Sequence, residues 1–148
     1  MRAGITATQI GINTFQREKL KHILVTKKVN TLIHGDCIGG DAASHEVARA
    51  LGIAVYIFPP IKSDKRAWCV ANDQAEPDDY IKRNHAIVNA SDFLIGMPKS
   101  EFEELRSGTW ATIRYAKKIG IKVMIIFPKK LEIIPATRLT FNAIAAMI

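Results

Sequence analysis

Residues 31–58 read TLIHGDCIGGDAASHEVARALGIAVYIF, and the fold is decided here. Thr31–His34 is an apolar run too short for a helix and closed by Gly35, and Ile53–Phe58 is a second such run closed by Pro59. Between them Asp41–Leu51 turns Ala42, Val47, Ala48 and Leu51 inward at helical spacing, and Gly52 is a natural stop. A strand, a helix and a strand in one short stretch describe a single crossover, which makes the two strands parallel. Their near-continuous apolar character requires helices on both faces.

The alternation extends in both directions. Ala3–Thr6, Phe93–Met97 and Lys122–Phe127 read as further buried strands. Phe15–Lys27 sets Leu20, Ile23 and Leu24 opposite Glu18 and the lysines. A third helix is expected from Glu76-Pro77-Asp78-Asp79 to Ala90, with Pro77 at its first position and acids in its first turn, and a fourth over Gly108–Ile119, ended by Gly120. The expected architecture is a three-layer Rossmann-like α/β domain, with a central parallel sheet of about five strands and helices on both faces. Such sheets bind ligands beyond the carboxyl ends of the strands, where the strand order reverses.

Composition sets the outer bounds. The chain has 148 residues, 21 Lys+Arg against 14 Asp+Glu, and a net charge of +7. At this length a fold buries roughly 68–70% of the surface that the unfolded chain exposes, so a core forms without a metal or a disulfide. Residues 1–148 are read as one domain with a core over about 1–127. In the tail 128–148, Pro135 interrupts the pattern and Thr137–Ile148 is an apolar segment suited to a packing or dimerisation helix. No apolar run approaches the ~20 residues of a membrane span, and MRAGITATQ lacks the apolar core of a signal peptide. The expectation is a cytoplasmic protein with no membrane partner. Cys37 and Cys69 form no C-x-x-C pattern and suit a reducing compartment. The basic residues are scattered in small clusters with no run of the five or six that marks a basic tail, so position matters more than total charge.

Four polar constellations fall at expected strand ends. His34-Gly35-Asp36-Cys37-Ile38-Gly39-Gly40-Asp41 leads from a strand into a helix, where glycines allow a ligand close to the backbone and helical N–H groups favour an anion. A tight turn with Asp41 as a helix cap explains the same residues. Arg106-Ser107-Gly108-Thr109 opens the fourth helix and offers a second anion site, or else a serine cap beside a core Trp110. Lys82-Arg83-Asn84 sets an arginine fork, suited to phosphate, beside an amide suited to a sugar hydroxyl, unless it is simply a solvated helical face. The loop from Pro59 to Trp68 is long for an α/β connection; Arg66 and Trp68 are its candidates for closing over a base, with an ordinary mobile loop the alternative.

Other chemistries find less support. The glycines match neither GxGxxG nor Gly-Lys-Ser/Thr, which argues against a dinucleotide dehydrogenase or an ATPase, and no cofactor is expected. Cys37 near His34 and His45 reads as a small buried thiol before it reads as a nucleophile. The histidines with Asp36 and Asp41 show no clustered ligand spacing, and no metal is expected. Single-stranded nucleic acid would require a contiguous basic groove with stacking aromatics, and only 7% of residues are aromatic.

The runs TLIHGDCIGGDAASHEVARALGI, KRAW after the double proline, YIKRNHAIVNASDFLIGMP and RSGTWATIRYAKKIGIKVMII occur in that order. From about Thr31 to Phe127 the chain thereby resembles the SLOG superfamily, named after the Smf/DprA and LOG proteins, and in particular its small stand-alone members. The resemblance implies a Rossmann-like fold binding a nucleotide or a nucleotide derivative, and it transfers Gly39, Gly40, Asp41, Arg83, Asn84, Ser107, Gly108 and Thr109 to the pocket. It also implies a homodimer or higher homo-oligomer. Two positions depart from the family. Thr6-Ala7-Thr8-Gln9 stands where many relatives carry a Thr-Gly-Ser/Thr-Arg turn, and Thr112 stands where the LOG phosphoribohydrolases carry the Glu of P-G-G-x-G-T-x-x-E. A hydroxyl neither stabilises an oxocarbenium ion nor activates water as a carboxylate does.

The reading is therefore a binding domain for a phosphorylated nucleotide or nucleotide-derived ligand. Gly35, Gly39, Gly40 and Ser107-Gly108-Thr109 would hold phosphate and ribose, and Arg83 and Arg106 would neutralise charge. Asp41 and Asn84 would bond sugar hydroxyls, with Arg66 and Trp68 at the base. The alternatives are a nucleoside-monophosphate N-glycosidic hydrolase or transferase using Asp36 or Asp41, and a DprA-like DNA-binding module.

Overall fold

The computed structural model describes residues 1–128, and the tail beyond them lies outside the described residues. Six strands, β1 (Arg2–Ala7), β2 (Thr31–His34), β3 (Ala54–Ile57), β4 (Asp73–Gln74), β5 (Phe93–Met97) and β6 (Lys122–Ile125), form one sheet. Its order is β4-β3-β2-β1-β5-β6, and every pairing is parallel. Four helices, α1 (Thr14–Thr26), α2 (Gly40–Ala50), α3 (Tyr80–Ala90) and α4 (Gly108–Lys118), supply the crossovers. This is the three-layer Rossmann-like α/β arrangement.

The strand residues alternate between two cores. Leu32, Ile95 and Ile5 pack with Leu20 and Leu24 of α1 and Val47 of α2. Ile33 and Leu94 point the other way, onto Ile87 and Val88 of α3 and Trp110 and Ile113 of α4. Helices thus cover both faces, and each fully buried Leu or Ile contributes about 1.5–3 kcal/mol. From β1 the chain steps outward through β2 and β3 before returning to β1's other side with β5. The order reverses between β1 and β5, which is where such sheets open a crevice.

Two elements differ from the sequence expectation. β4 adds a sixth strand; its two residues are exposed and polar, so no apolar run marks it. α3 begins at Tyr80 and not at Pro77, with Asp79 as its cap accepting from the Lys82 N–H at 2.9 Å. The preceding residues are held extended, since Ile61 donates to the Asp78 carbonyl at 3.0 Å and Asp78 to that of Pro59 at 3.2 Å. An extended backbone bridged to Pro60 cannot also be the first turn of a helix.

Candidate functional site

The β2–α2 turn is held chiefly by bonds within the protein. Asp41 is buried, and its Oδ2 accepts from the N–H groups of Gly35 at 3.1 Å and Cys37 at 3.2 Å, so it is not the helix cap. That role falls to Gly39, at φ +86°. A Cβ on Gly39 would lie 2.3 Å from the Gln9 carbonyl oxygen, and one on Gly40 would lie 2.3 Å from the Ala7 Cβ. The close approach these glycines permit is to the chain segment leaving β1. The Gly40 N–H already donates to the Thr8 carbonyl at 2.8 Å.

Asp36 is fully buried at φ +56°. One carboxylate oxygen pairs with the Arg66 Nε at 2.8 Å and the other accepts from the Cys69 N–H at 2.9 Å. The Ala67 N–H donates to the Asp36 carbonyl at 2.8 Å, and the Ile38 N–H to that of Lys65 at 2.9 Å. This stretch of the long loop is therefore pinned to the β2–α2 turn. Arg66 is committed to Asp36, with its guanidinium 3.9 Å above the Trp68 ring. Trp68 stays 63% exposed.

His34, at the end of β2, anchors the same region from below. Its Nδ1 accepts from the Asp36 N–H at 2.9 Å, so the neutral ring carries its proton on Nε2, which lies 3.1 Å from the His45 Nδ1. Burial and the neighbouring His45 push the His34 pKa down to about 3. His34, His45 and Cys69 bring possible ligand atoms within 4.8 Å of one another. In this tautomer His34 has no free lone pair for a metal, and burial beside Asp36 pushes the Cys69 thiol up to about 12. His34 and His45 therefore form a hydrogen-bonded support, and Cys69 is tied to Asp36.

The β5–α4 turn is built differently. Ser107 caps α4 by accepting from the Trp110 N–H at 3.3 Å, and a Cβ on Gly108 would meet nothing within 4 Å. The helix entrance faces a cavity of about 680 Å³ lined by Arg106, Ser107, Gly108 and Thr109 on one side and by Asp41 and Cys37 across from them. Between these walls α3 contributes Arg83 and Asn84. Arg83 is only 5% exposed. Its guanidinium donates to the Gly35 carbonyl and, at 3.3 Å, to the Cys37 Sγ, and its Nε is a buried donor with no partner. Burial raises the Asp41 pKa to about 6 although the Arg83 cation opposes the shift, and burial pushes the Cys37 thiol up as well.

Of the residues singled out in the sequence, Asp41, Arg83, Asn84, Arg106, Ser107, Gly108 and Thr109 line this one cavity. Gly35, Asp36, Gly39, Gly40, Arg66 and Trp68 lie outside its lining. Thr8 and Gln9 after β1, named in the sequence only as a departure from the family's turn, also line it, and sequence reasoning did not single out Tyr80 or the cations Lys62, Lys65 and Lys99. Thr8 and Gln9 sit just past the end of the central strand, so the switch-point rule points to them once β1 is known to lie between β2 and β5.

No family model and no curated protein matches the sequence. Solved structures do resemble the fold. The molybdenum cofactor binding protein from the phototrophic bacterium Rippkaea orientalis has a TM-score of 0.67 at 14% identity, covering 86% of this chain and 77% of that one. The Moco carrier protein from Chlamydomonas reinhardtii has a TM-score of 0.62 at 16% identity, with 98% and 84% covered. DNA processing protein A (DprA) from Streptococcus pneumoniae has a TM-score of 0.63 at 13% identity over 99% of this chain and 56% of its own. These likenesses show a shared Rossmann-like α/β fold. Thr112 is buried and donates its hydroxyl to the Gly108 carbonyl at 2.9 Å, so it braces the first turn of α4. No helix among the described residues is long and apolar enough to cross a membrane.

Proposed function

We propose that this protein binds a phosphorylated nucleotide or nucleotide-derived small molecule in the cavity at the β1/β5 switch point. The observation that carries the reading is that the buried Arg83 lines the same cavity as the open entrance of α4. An anion that enters a cavity beside a guanidinium gains a charge-assisted interaction. A helix entrance adds unsatisfied N–H groups and a favourable dipole. In this reading the Ser107-Gly108-Thr109 turn and Arg106 hold the phosphate, Asn84 and Asp41 face the sugar, and the SLOG-type likeness to two Moco-binding proteins supports a small-molecule ligand. Titration calorimetry with nucleoside 5′-monophosphates tests it. Arg83→Ala should weaken binding about tenfold to a hundredfold. Because Arg83 also braces the β2–α2 turn, the exposed Arg106→Ala serves as the control that leaves that turn intact.

Asp41 favours a second reading, an N-glycosidic hydrolase or transferase acting on the same ligand. Its carboxyl lines the cavity with a pKa of about 6, suited to proton transfer near neutrality, whereas both oxygens of Asp36 are engaged by the 66–69 segment. Free base appearing with wild type and not with Asp41→Asn would establish it; retention of intact nucleotide would exclude it.

A further inference from the structure

The β6 side of the sheet is covered less completely than its centre. β5 is buried along its whole length, whereas β6 is exposed at Lys122 and only half-buried from Val123 to Ile125. Among the described residues β6 pairs with β5 alone. Parallel sheets are ordinarily covered on both faces, and an open apolar edge invites a further segment of chain. Beside this edge lies an apolar groove of about 670 Å³. One wall is a stripe of α1 at four-residue spacing, Phe15, Lys19, Ile23 and Lys27, and the other is residues 124–127. The two lysines leave their methylene stems available to an apolar partner.

The groove is held in shape by the fold. Gln16 is buried, and its Nε2 donates to the carbonyls of Ile126 and Pro98, both at 2.9 Å, which ties the first turn of α1 to the end of β6. Phe127 lines the groove at that tied end, Pro128 is the last described residue, and residues 129–148 follow. The α1 stripe is roughly 18 Å long, and the twenty residues after Pro128 span roughly 30 Å even at the ~1.5 Å per residue of a helix. A segment joined to the groove so directly is present there at an effective concentration of about millimolar, which a second copy does not match. The groove has ten lining residues, whereas an interface between two folded chains takes roughly 20–30 a side.

We infer that this groove is the docking site of the chain's own residues 129–148, whose apolar side chains, among them Leu139, Phe141 and Ile144, cover the α1 stripe and the open side of β6. The groove shares no lining residue with the cavity at the β1/β5 switch point, so the inference stands apart from the nucleotide reading.

Hydrogen exchange followed by mass spectrometry tests it on the full chain, in wild type, Phe15→Asp and Ile144→Asp, beside a synthetic peptide of residues 129–148. Phe15 is exposed and stands second in α1, where an acidic residue suits the helix, so Phe15→Asp keeps the described fold while placing a charge in the groove. In wild type the amides of 129–148 should exchange at least about tenfold more slowly than in the peptide. Each variant should return them to the peptide's rate, with α2 and α3 unchanged. Exchange in wild type as fast as in the peptide would overturn the inference, as would protection that either variant leaves intact. Protection lost on dilution, together with a fall in mass by light scattering, would assign the groove to a second copy and overturn it as well.

Discussion

Two glycine-containing turns feed helices at the same edge of the sheet, Gly39-Gly40-Asp41 into α2 and Ser107-Gly108-Thr109 into α4, and their free valences go to different places. In the first, Gly40 donates to Thr8, Asp41 accepts from Gly35 and Cys37, and the adjoining Asp36 holds Arg66 and Cys69. In the second, Ser107 caps the Trp110 N–H and the Thr112 hydroxyl donates to the Gly108 carbonyl, while Gly108 faces open space. The difference teaches that a glycine-rich helix entrance is not in itself an anion site. What matters is whether the chain's own carbonyls and carboxylates have already occupied the donors.

Substitutions in the two turns should therefore act on different observables. The largest effect is expected from Asp36→Ala, which strands the Arg66 charge and frees the 66–69 segment; a loss of about 3–5 kcal/mol in urea unfolding is expected. Gly39→Ala should follow, at about 3 kcal/mol or more, because it combines a left-handed backbone with a Cβ on the Gln9 carbonyl. Gly108→Ala, by contrast, should change stability by less than about 0.5 kcal/mol while weakening nucleotide binding. A stability loss at Gly108 as large as that at Gly39 would break the contrast.

The pH dependence sharpens it further. His34 titrates at about 3 in the fold and 6.5 in the unfolded chain, so the unfolded chain binds the extra proton between those values. Its contribution to stability is complete above pH 6.5 and is lost as the pH falls toward 3. Asp41 is raised from 3.8 to about 6, so here the fold holds the extra proton, and that contribution is complete below pH 3.8 and lost as the pH rises to about 6. Between about pH 4 and 6 the two slopes oppose each other. Asp41→Asn should unmask His34, with stability falling by roughly 1.4 kcal/mol per unit as the pH drops from 6.5 to 4. An unchanged slope in that variant would show that Asp41 titrates as it does in the unfolded chain.

Much of this fold is legible in the sequence. The apolar strands β1, β2 and β5 and the α2 and α4 patterns follow from periodicity, because a sheet buried on both faces leaves its strands no polar alternation to hide in. The short exposed β4 leaves no such trace, and α3 starts later than Pro77 suggests because a proline suits the extended segment leading into the Pro60–Asp78 bridge as well as a helix start. At the site, sequence supplied residue types and not their commitments. Arg66, Trp68 and the Gly39-Gly40 pair resemble ligand-binding residues in one dimension, but Arg66 is paired with Asp36 and the glycines fit against residues 7–9. Lys62 and Lys65 became candidates only once sheet order brought their loop to the cavity.

The most direct test is equilibrium dialysis of the purified protein against a mixed panel of nucleotides, with mass spectrometry of both chambers. Intact nucleotide should be retained by wild type, less by Arg106→Ala, and by Gly39→Ala in proportion to its folded fraction. No retained nucleotide in any chamber, or retention that Arg83→Ala and Arg106→Ala leave untouched, would contradict an anion site at the α4 entrance.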